Sequence, residues 1–318
     1  MAGEYGIPST LDTVVLNTSL ADYQKRLVDN KYNEPVIERL CNRSDTKKMI
    51  NGGLSIVETL IKDKQDDGGF YLGADLLNTV QGNDLTTVEF KWQNAFEPIQ
   101  ITRDEERQNA GDSHKILDLV ATKTKLANKA IKDRLDQAFT TPVGAANNLY
   151  DLETIVGTGA LGTLNGSSDT FWQSTVTASG SFVTQGLTDM ATATWAVSAS
   201  AENDSPTIYI TNKTVFQKYW NTRLPLERIA NAEMTANAGA KNLTFMGVPL
   251  IYGNYVGSGL LFGLNMNYLY LAVDSETDYV TTPFISPTNQ TTKVAFVLWR
   301  GQLYTNNRRR HFKLTTIS

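Results

Sequence analysis

The stretch of the sequence that most resembles a chemical motif is Gly157-Thr158-Gly159-Ala160-Leu161-Gly162, a literal G-x-G-x-x-G behind the apolar pair Ile155-Val156. In a dinucleotide-binding fold such glycines let a pyrophosphate approach a helix N-terminus. The context here differs. Thr163-Leu164-Asn165-Gly166-Ser167-Ser168 follows where a helix should begin, and no acid closes a second strand about 20 positions on. Asp189 lies too far along, in a Thr-rich segment. The stretch reads as a Gly/Ser/Thr loop. A nucleotide-binding enzyme using residues 157–162 is carried as the alternative from another class.

The remaining reactive residues form no constellation. Asp104-Glu105-Glu106-Arg107-Gln108 gathers acids, but consecutively rather than spaced for one helix face. It reads as a solvated turn or an inter-subunit ion pair. His114 and His311 are too few for a His-rich metal site and follow no metalloprotease or triad spacing. Walker A and G-x-S-x-G sequences are absent. Cys41, the single cysteine, excludes an internal disulfide and any multi-Cys metal site, and reads as a small buried hydrophobe. The expectation is a non-enzyme with no catalytic residue, cofactor or metal. Arg308-Arg309-Arg310 is the strongest basic run. Its readings are non-specific phosphate contact, a salt bridge to a neighbour's acidic segment, or the cap of a strand end.

The totals narrow the class. The 318 residues suffice for one large or two medium domains, and 41% hydrophobic content suffices for a core. A net charge of −4 gives no global pull toward nucleic acid or membrane. Of the 62 charged residues, 40 fall in the first 140 positions; the rest of the chain is rich in Thr, Ser, Asn and Gly. Such surfaces are solvated by hydroxyls and amides or covered by neighbouring subunits. No signal-peptide pattern opens the chain. Residues 242–273 are uncharged but interrupted by Gly, Pro and Asn, so they read as strands and turns rather than a membrane span.

One long helix organises the elements. After the turn Asn109-Ala110-Gly111-Asp112-Ser113, apolar residues recur with helical spacing from Ile116 through Leu119, Leu126, Ala127, Ala130, Ile131 and Leu135 to Phe139. Lysines, Arg134, Asp118, Asp133 and Asp136 lie mostly off that stripe. The spacing predicts a helix over 113–139, stopped by Pro142 and Gly144. Residues 54–61 read as a strand. Residues 85–93 alternate, with Thr86, Val88, Phe90 and Trp92 on one side and Thr87, Glu89, Lys91 and Gln93 on the other. Together they frame a two-stranded projection whose tip holds Lys62, Lys64, Asp66, Asp67 and Phe70. A free two-stranded arm is marginal in water, and no surface in its own chain is evident, which argues for a partner subunit. Residues 1–53 read as an arm, flexible or laid across something else. Pro206–Ile210 reads as a strand, with Thr211-Asn212 capping a helix over 213–221. Residues 243–252, 260–264 and 268–273 read as strands of an α/β or α+β body. The tail, 294–304 and 311–315, returns to β and is expected to pair beside the long helix.

Taken in order, these parts resemble an HK97-type major capsid protein of tailed double-stranded DNA bacteriophages. The resemblance rests on Phe90-Lys91-Trp92-Gln93, the strand from Ile99 to Arg103 leading into residues 104–111, and the long helix. Leu243-Thr244-Phe245-Met246-Gly247-Val248-Pro249 and Gly301-Gln302-Leu303-Tyr304 leading into Arg308-Arg309-Arg310 complete it. It implies an α+β, HK97-like capsid fold with an N-terminal arm at 1–53 and an extended loop at 54–102. A peripheral domain with a spine helix would span 103–148, an axial α/β domain 149–273, and a return to the peripheral domain 274–318. It implies hexamers and pentamers in an icosahedral shell enclosing double-stranded DNA, assembled in the bacterial cytoplasm. Lys62, Lys64, Asp66, Asp67 and Phe70 become intersubunit contacts, and Arg308, Arg309 and Arg310 a DNA-facing or intersubunit run. The implied partners are a separate scaffolding protein, a portal, decoration proteins and packaged DNA held non-specifically, with no membrane. An encapsulin-type compartment is the alternative within the same fold.

Overall fold

The computed structural model describes residues 31–32, 34–63, 70–76, 84–109, 119–141, 149–198, 204–230, 243–288 and 291–318. In chain order the elements are α1 (Val36–Cys41), β1 (Lys47–Ile50), β2 (Ser55–Ile61), β3 (Leu85–Lys91), β4 (Gln93–Thr102), α2 (Arg103–Asn109) and α3 (Leu119–Thr140). Next come α4 (Leu152–Ile155), β5 (Ala160–Leu161), β6 (Leu164–Asn165), β7 (Thr175–Ala178), α5 (Leu187–Val197), β8 (Ile208–Thr211) and α6 (Lys213–Ala230). The rest is strand: β9 (Thr244–Phe245), β10 (Val248–Tyr252), β11 (Leu261–Leu264), β12 (Leu269–Asp274), β13 (Val280–Thr281), β14 (Thr292–Thr305) and β15 (Phe312–Thr315).

The long helix α3 buries Ala127, Ile131, Leu135 and Phe139. A spacing of four puts these on one face, which packs on a five-stranded sheet ordered β1-β12-β14-β13 with β4 also on β14. Ile99, Ala295, Val297 and Trp299 meet the helix from that sheet; the Phe139 and Trp299 rings lie edge to face at 6.4 Å. Positions 113–118 of the expected helix lie outside the described residues, as does His114. Leu126, assigned to the apolar stripe by spacing, is exposed, as is the neighbouring apolar Val120.

Asp136 corrects the pattern in the other direction. It is buried, and its Oδ1 accepts the main-chain N–H groups of Ile37 and Glu38 at 2.7 and 2.9 Å. A charge placed off the stripe by spacing is thus the anchor of α1. Burial raises the Asp136 pKa, against the two amide bonds that lower it. The described part of the arm therefore lies across its own chain: Ile37 and Cys41 enter the core, and β1 runs parallel to β12.

A second, six-stranded sheet runs β7-β15-β11-β8-β10-β9. Met190, Ala193 and Val197 of α5 and Val215 and Tyr219 of α6 pack with Tyr209, Leu250, Phe312 and Leu314. Asn212 caps α6 as its type and place predict, its Oδ1 accepting Val215 N–H at 2.8 Å. The helix then continues past 221 to Ala230.

The tail divides between the two bodies. β14 pairs with β4 over ten positions and then with β12. β15, expected beside the long helix, instead joins β11 and β7 in the second sheet, where Phe312 and Leu314 fill the core. Conversely β12, at the end of the 149–273 span, belongs to the first sheet.

Candidate functional site

The projection is a two-stranded ribbon, β2 against antiparallel β3, with Ile56 opposite Phe90 and Ile61 opposite Leu85. Its two faces differ. Ile56, Leu60, Val88 and Phe90 are buried in the main core. Val57 and Ile61 on the other face are 59% and 76% exposed, and Leu85 joins them. At the tip Phe70, Tyr71, Leu72 and Leu76 are all exposed. Lys62 is exposed at the end of β2, while Lys64, Asp66 and Asp67 lie outside the described residues. The expectation that nothing in its own chain supports the ribbon needs correction. Phe90 packs against Tyr304 and Tyr150, with ring centroids 5.3 and 6.0 Å apart, and Glu58 accepts the Tyr304 hydroxyl at 3.0 Å. The base is held in cis; among the described residues nothing covers Val57, Ile61 and Leu85 on the outer face or Phe70, Tyr71, Leu72 and Leu76 near the tip. Sequence reading missed Val57, Ile61 and Leu85. The available signal was β2 itself, which is apolar on both faces, a pattern proper to a strand covered on both sides.

The strand expected over 85–93 breaks at Trp92, where the chain passes from the ribbon into β4 of the sheet. Arg300 lies over the Trp92 ring, 5.1 Å from its centroid, and donates to Asp274 Oδ2 at 3.0 Å.

The glycine loop has a different occupant from the one its motif suggests. Ile155 belongs to the short helix α4, not to a strand, and the hairpin β5–β6 stands where a nucleotide-binding helix would begin. Arg308, 1% exposed, fills the loop from below. Its Nε donates to Ile155 C=O at 2.7 Å, Nη2 to Thr154 C=O at 2.6 Å, and Nη1 to Gly159 C=O at 2.6 Å and Trp172 C=O at 3.2 Å. Burial lowers its pKa to about 10, so it stays charged at neutral pH. Gly162 has φ +65°, and a Cβ there would lie 2.7 Å from Glu89 C=O and 2.8 Å from Val88 Cγ2. Gly162 serves close packing of the loop on the ribbon and Gly157 lies against the internal guanidinium, whereas a Cβ on Gly159 would meet nothing within 4 Å.

The arginine run is therefore not one surface. Arg308 points inward, which corrects its assignment to a DNA-facing or intersubunit patch. Arg310 pairs with Asp204 at 3.1 Å and donates to Val197 C=O at 2.9 Å. Arg309 is exposed. The turn Arg308–Arg310 is one turn of 3₁₀ helix, with three residues per turn, so consecutive side chains leave in three directions. His311 is fully buried. Asn265 N–H donates to its Nδ1 at 3.2 Å, so its proton sits on Nε2, facing Thr305 Oγ1 at 3.1 Å. Burial, with Arg308 nearby, lowers its pKa from 6.5 to about 3.

The other candidates resolve similarly. Glu105 is held by Lys123 and Thr102 rather than offered to a metal, and these bonds lower its pKa. Cys41 is buried and its thiol pKa is pushed up by desolvation. Among the described residues no group of three or more His, Cys, Asp or Glu could hold a metal ion, and no helix is long and apolar enough to cross a membrane.

No family model and no curated protein matches the sequence. Solved structures do match the fold. A chain of the cyanophage A-1(L) capsid asymmetric unit is 14% identical, with a TM-score of 0.70 over 95% of this chain and 99% of that one. A capsid chain of the native GTA particle is 11% identical, with a TM-score of 0.63 over 98% and 100%. A chain of the SrpI encapsulin complex of Synechococcus elongatus PCC 7942 is 10% identical, with a TM-score of 0.60 over 96% and 95%. The chain has the HK97-like capsid fold, of α+β class, and is similar along nearly its whole length to phage capsid chains.

Proposed function

We propose that this protein is the major capsid subunit of a tailed phage, assembling as hexamers and pentamers into an icosahedral shell around double-stranded DNA. The observation that carries the reading is the one-sided ribbon. A projection whose base is locked in its own core, but whose outer face and tip present Val57, Ile61, Phe70, Leu72, Leu76 and Leu85 to solvent, is built to lie on a neighbour. Such contacts are individually weak, and a closed symmetric lattice sums many of them. Assembly then proceeds in the host cytoplasm with a separate scaffolding protein and portal. Of the arginine run, Arg309 is the residue left to meet packaged DNA. The role is structural rather than catalytic. The nucleotide reading loses its support because the Arg308 guanidinium fills the glycine loop.

The likeness to an encapsulin chain favours a second reading, a compartment holding protein cargo. Sedimentation with negative-stain imaging, of the protein alone and with its neighbouring gene product, tests the shell. Closed particles tens of nanometres across are expected, and a clean monomer or dimer in both samples refutes it. Nucleic acid or protein inside purified particles separates the two readings. Deleting 62–81 should leave a folded subunit that assembles poorly.

A further inference from the structure

The short helix α1 is fastened to the rest of the chain by few groups. Its six residues are too few for a helix to hold in water unaided, so its attachment rests on what it meets. Ile37 and Cys41 enter the core. Asp136 of α3 accepts the N–H groups of Ile37 and Glu38 on Oδ1, at 2.7 and 2.9 Å. The Glu38 carboxylate lies in the same seam, 3% exposed, and its Oε1 accepts the Tyr279 hydroxyl at 2.6 Å and Asn42 Nδ2 at 3.1 Å. Asp136 is 1% exposed, and its Oδ2 is buried without a hydrogen-bond partner. Among the described residues neither acid forms an ion pair. Arg39 turns outward to Glu34, and Lys47 pairs with Asp278 at 2.5 Å. Lys132, one turn before Asp136, lies over the Tyr279 ring, 5.3 Å from its centroid. The other titratable groups facing Asp136 are Cys41, Asp133 and Tyr255, whose hydroxyl donates to Asp133 Oδ1 at 2.8 Å.

We propose that Asp136 is a proton-operated latch for α1: a proton taken from solvent onto Oδ2 fastens the helix to α3, and its loss loosens it. Oδ2 accepts from no donor, so protonation sacrifices no bond there, while Oδ1 goes on accepting both amides. What the proton removes is a buried charge beside a second carboxylate, a costly arrangement. With α1 released, Asp136 is solvated and titrates in its ordinary range, near 3.8. With α1 docked, burial raises that value, the two amide bonds oppose the rise, and the charges of Asp133 and Glu38 add to it. The docked form therefore binds the proton more tightly. Docking strengthens as pH falls through the raised value and levels off below 3.8. The rest of the fold responds in the opposite sense, because His311 is buried neutral and costs stability toward acid. A helix that tightens in acid while the subunit around it weakens is the signature of this carboxyl. The chain ahead of Ile37 then leaves the body from a fixed point at low pH and from a loose one at high pH. The latch belongs to one subunit and does not require a closed shell.

Site-resolved amide exchange by mass spectrometry tests it on the full chain between about pH 7.5 and pH 4.5, each rate divided by the intrinsic rate at that pH. Protection of the Ile37 and Glu38 amides is expected to rise several-fold toward acid, by no more than about tenfold per pH unit, the limit for a single proton. Amides of β8 and β11 in the second sheet are the controls, expected to hold or lose protection. Asp136→Asn keeps an oxygen for both amides but cannot titrate, so its profile should be flat. Glu38→Gln keeps an acceptor for Tyr279 and removes the neighbouring charge, so the rise should move to lower pH. This second variant carries the test should Asp136→Asn fail to fold. Protection at Ile37 and Glu38 that stays level or falls toward acid in the unmodified protein overturns the proposal. So does a rise that survives Asp136→Asn, or one that Glu38→Gln leaves unmoved.

Discussion

Replacing Arg308 by Met keeps most of the volume and removes the guanidinium from beneath the glycine loop. Four carbonyl bonds go with it, to Thr154, Ile155, Gly159 and Trp172. Gly159 C=O keeps the Gly166 N–H and Ile155 C=O keeps a long contact to Ser174 Oγ, whereas Thr154 and Trp172 lose a charged donor outright. A buried carbonyl left unpaired costs about 1–3 kcal/mol, so two such groups and two weakened ones give about 3–6 kcal/mol. The relief of not burying a charge offsets part of this, which leaves about 3–4 kcal/mol as the expected net loss. That is a large fraction of the roughly 5–15 kcal/mol that holds a domain folded. Arg308→Lys should recover little, because three donors on one nitrogen cannot span four carbonyls on separate turns. Arg309→Met is the matched control: the side chain is exposed, and its removal should move stability by less than about 0.5 kcal/mol. Urea unfolding of the unassembled subunit, followed by tryptophan fluorescence, measures all three variants. Equal midpoints for Arg308→Met and Arg309→Met would refute the claim that the buried guanidinium organises the loop.

Gly162→Ala should destabilise by about 2–4 kcal/mol, from the positive φ and the overlap with Glu89 C=O and Val88; the same urea titration checks it. His311 is neutral when folded, with its pKa lowered to about 3, so its contribution to stability is complete above the unfolded value of 6.5 and declines as pH falls toward 3. The loss is at most about 5 kcal/mol, and unfolding free energies between pH 8 and pH 4 should fall less steeply for His311→Gln. Cys41 should resist maleimide in the native protein and react on unfolding; rapid native labelling would contradict its burial. Val57→Asp/Ile61→Asp should lower the subunit's unfolding free energy by no more than about 2 kcal/mol, from strand propensity and from Glu89 opposite Val57, while blocking assembly in sedimentation, since both side chains are already exposed.

Elements whose signal is local are legible in the amino-acid pattern. A spacing of four apolar residues marks α3 because a helix repeats every 3.6 residues. Alternation marks β3, and Asn212 marks the start of α6, because a cap needs only its own short side chain and the amide three residues on. The order of those parts was enough to carry the resemblance to a capsid fold. Tertiary structure alone decided what depends on residues far apart in the chain. Arg308 reads as surface charge until its partners, some 150 positions upstream, enclose it. Asp136 reads as a solvated acid until two amides 98 and 99 positions away point at its oxygen. The glycine motif and the last strand likewise took their roles from neighbours that no local pattern announces: a buried guanidinium for one, a second sheet for the other. Burial of a polar group depends on which distant groups complete its hydrogen bonds, and periodicity carries no record of that.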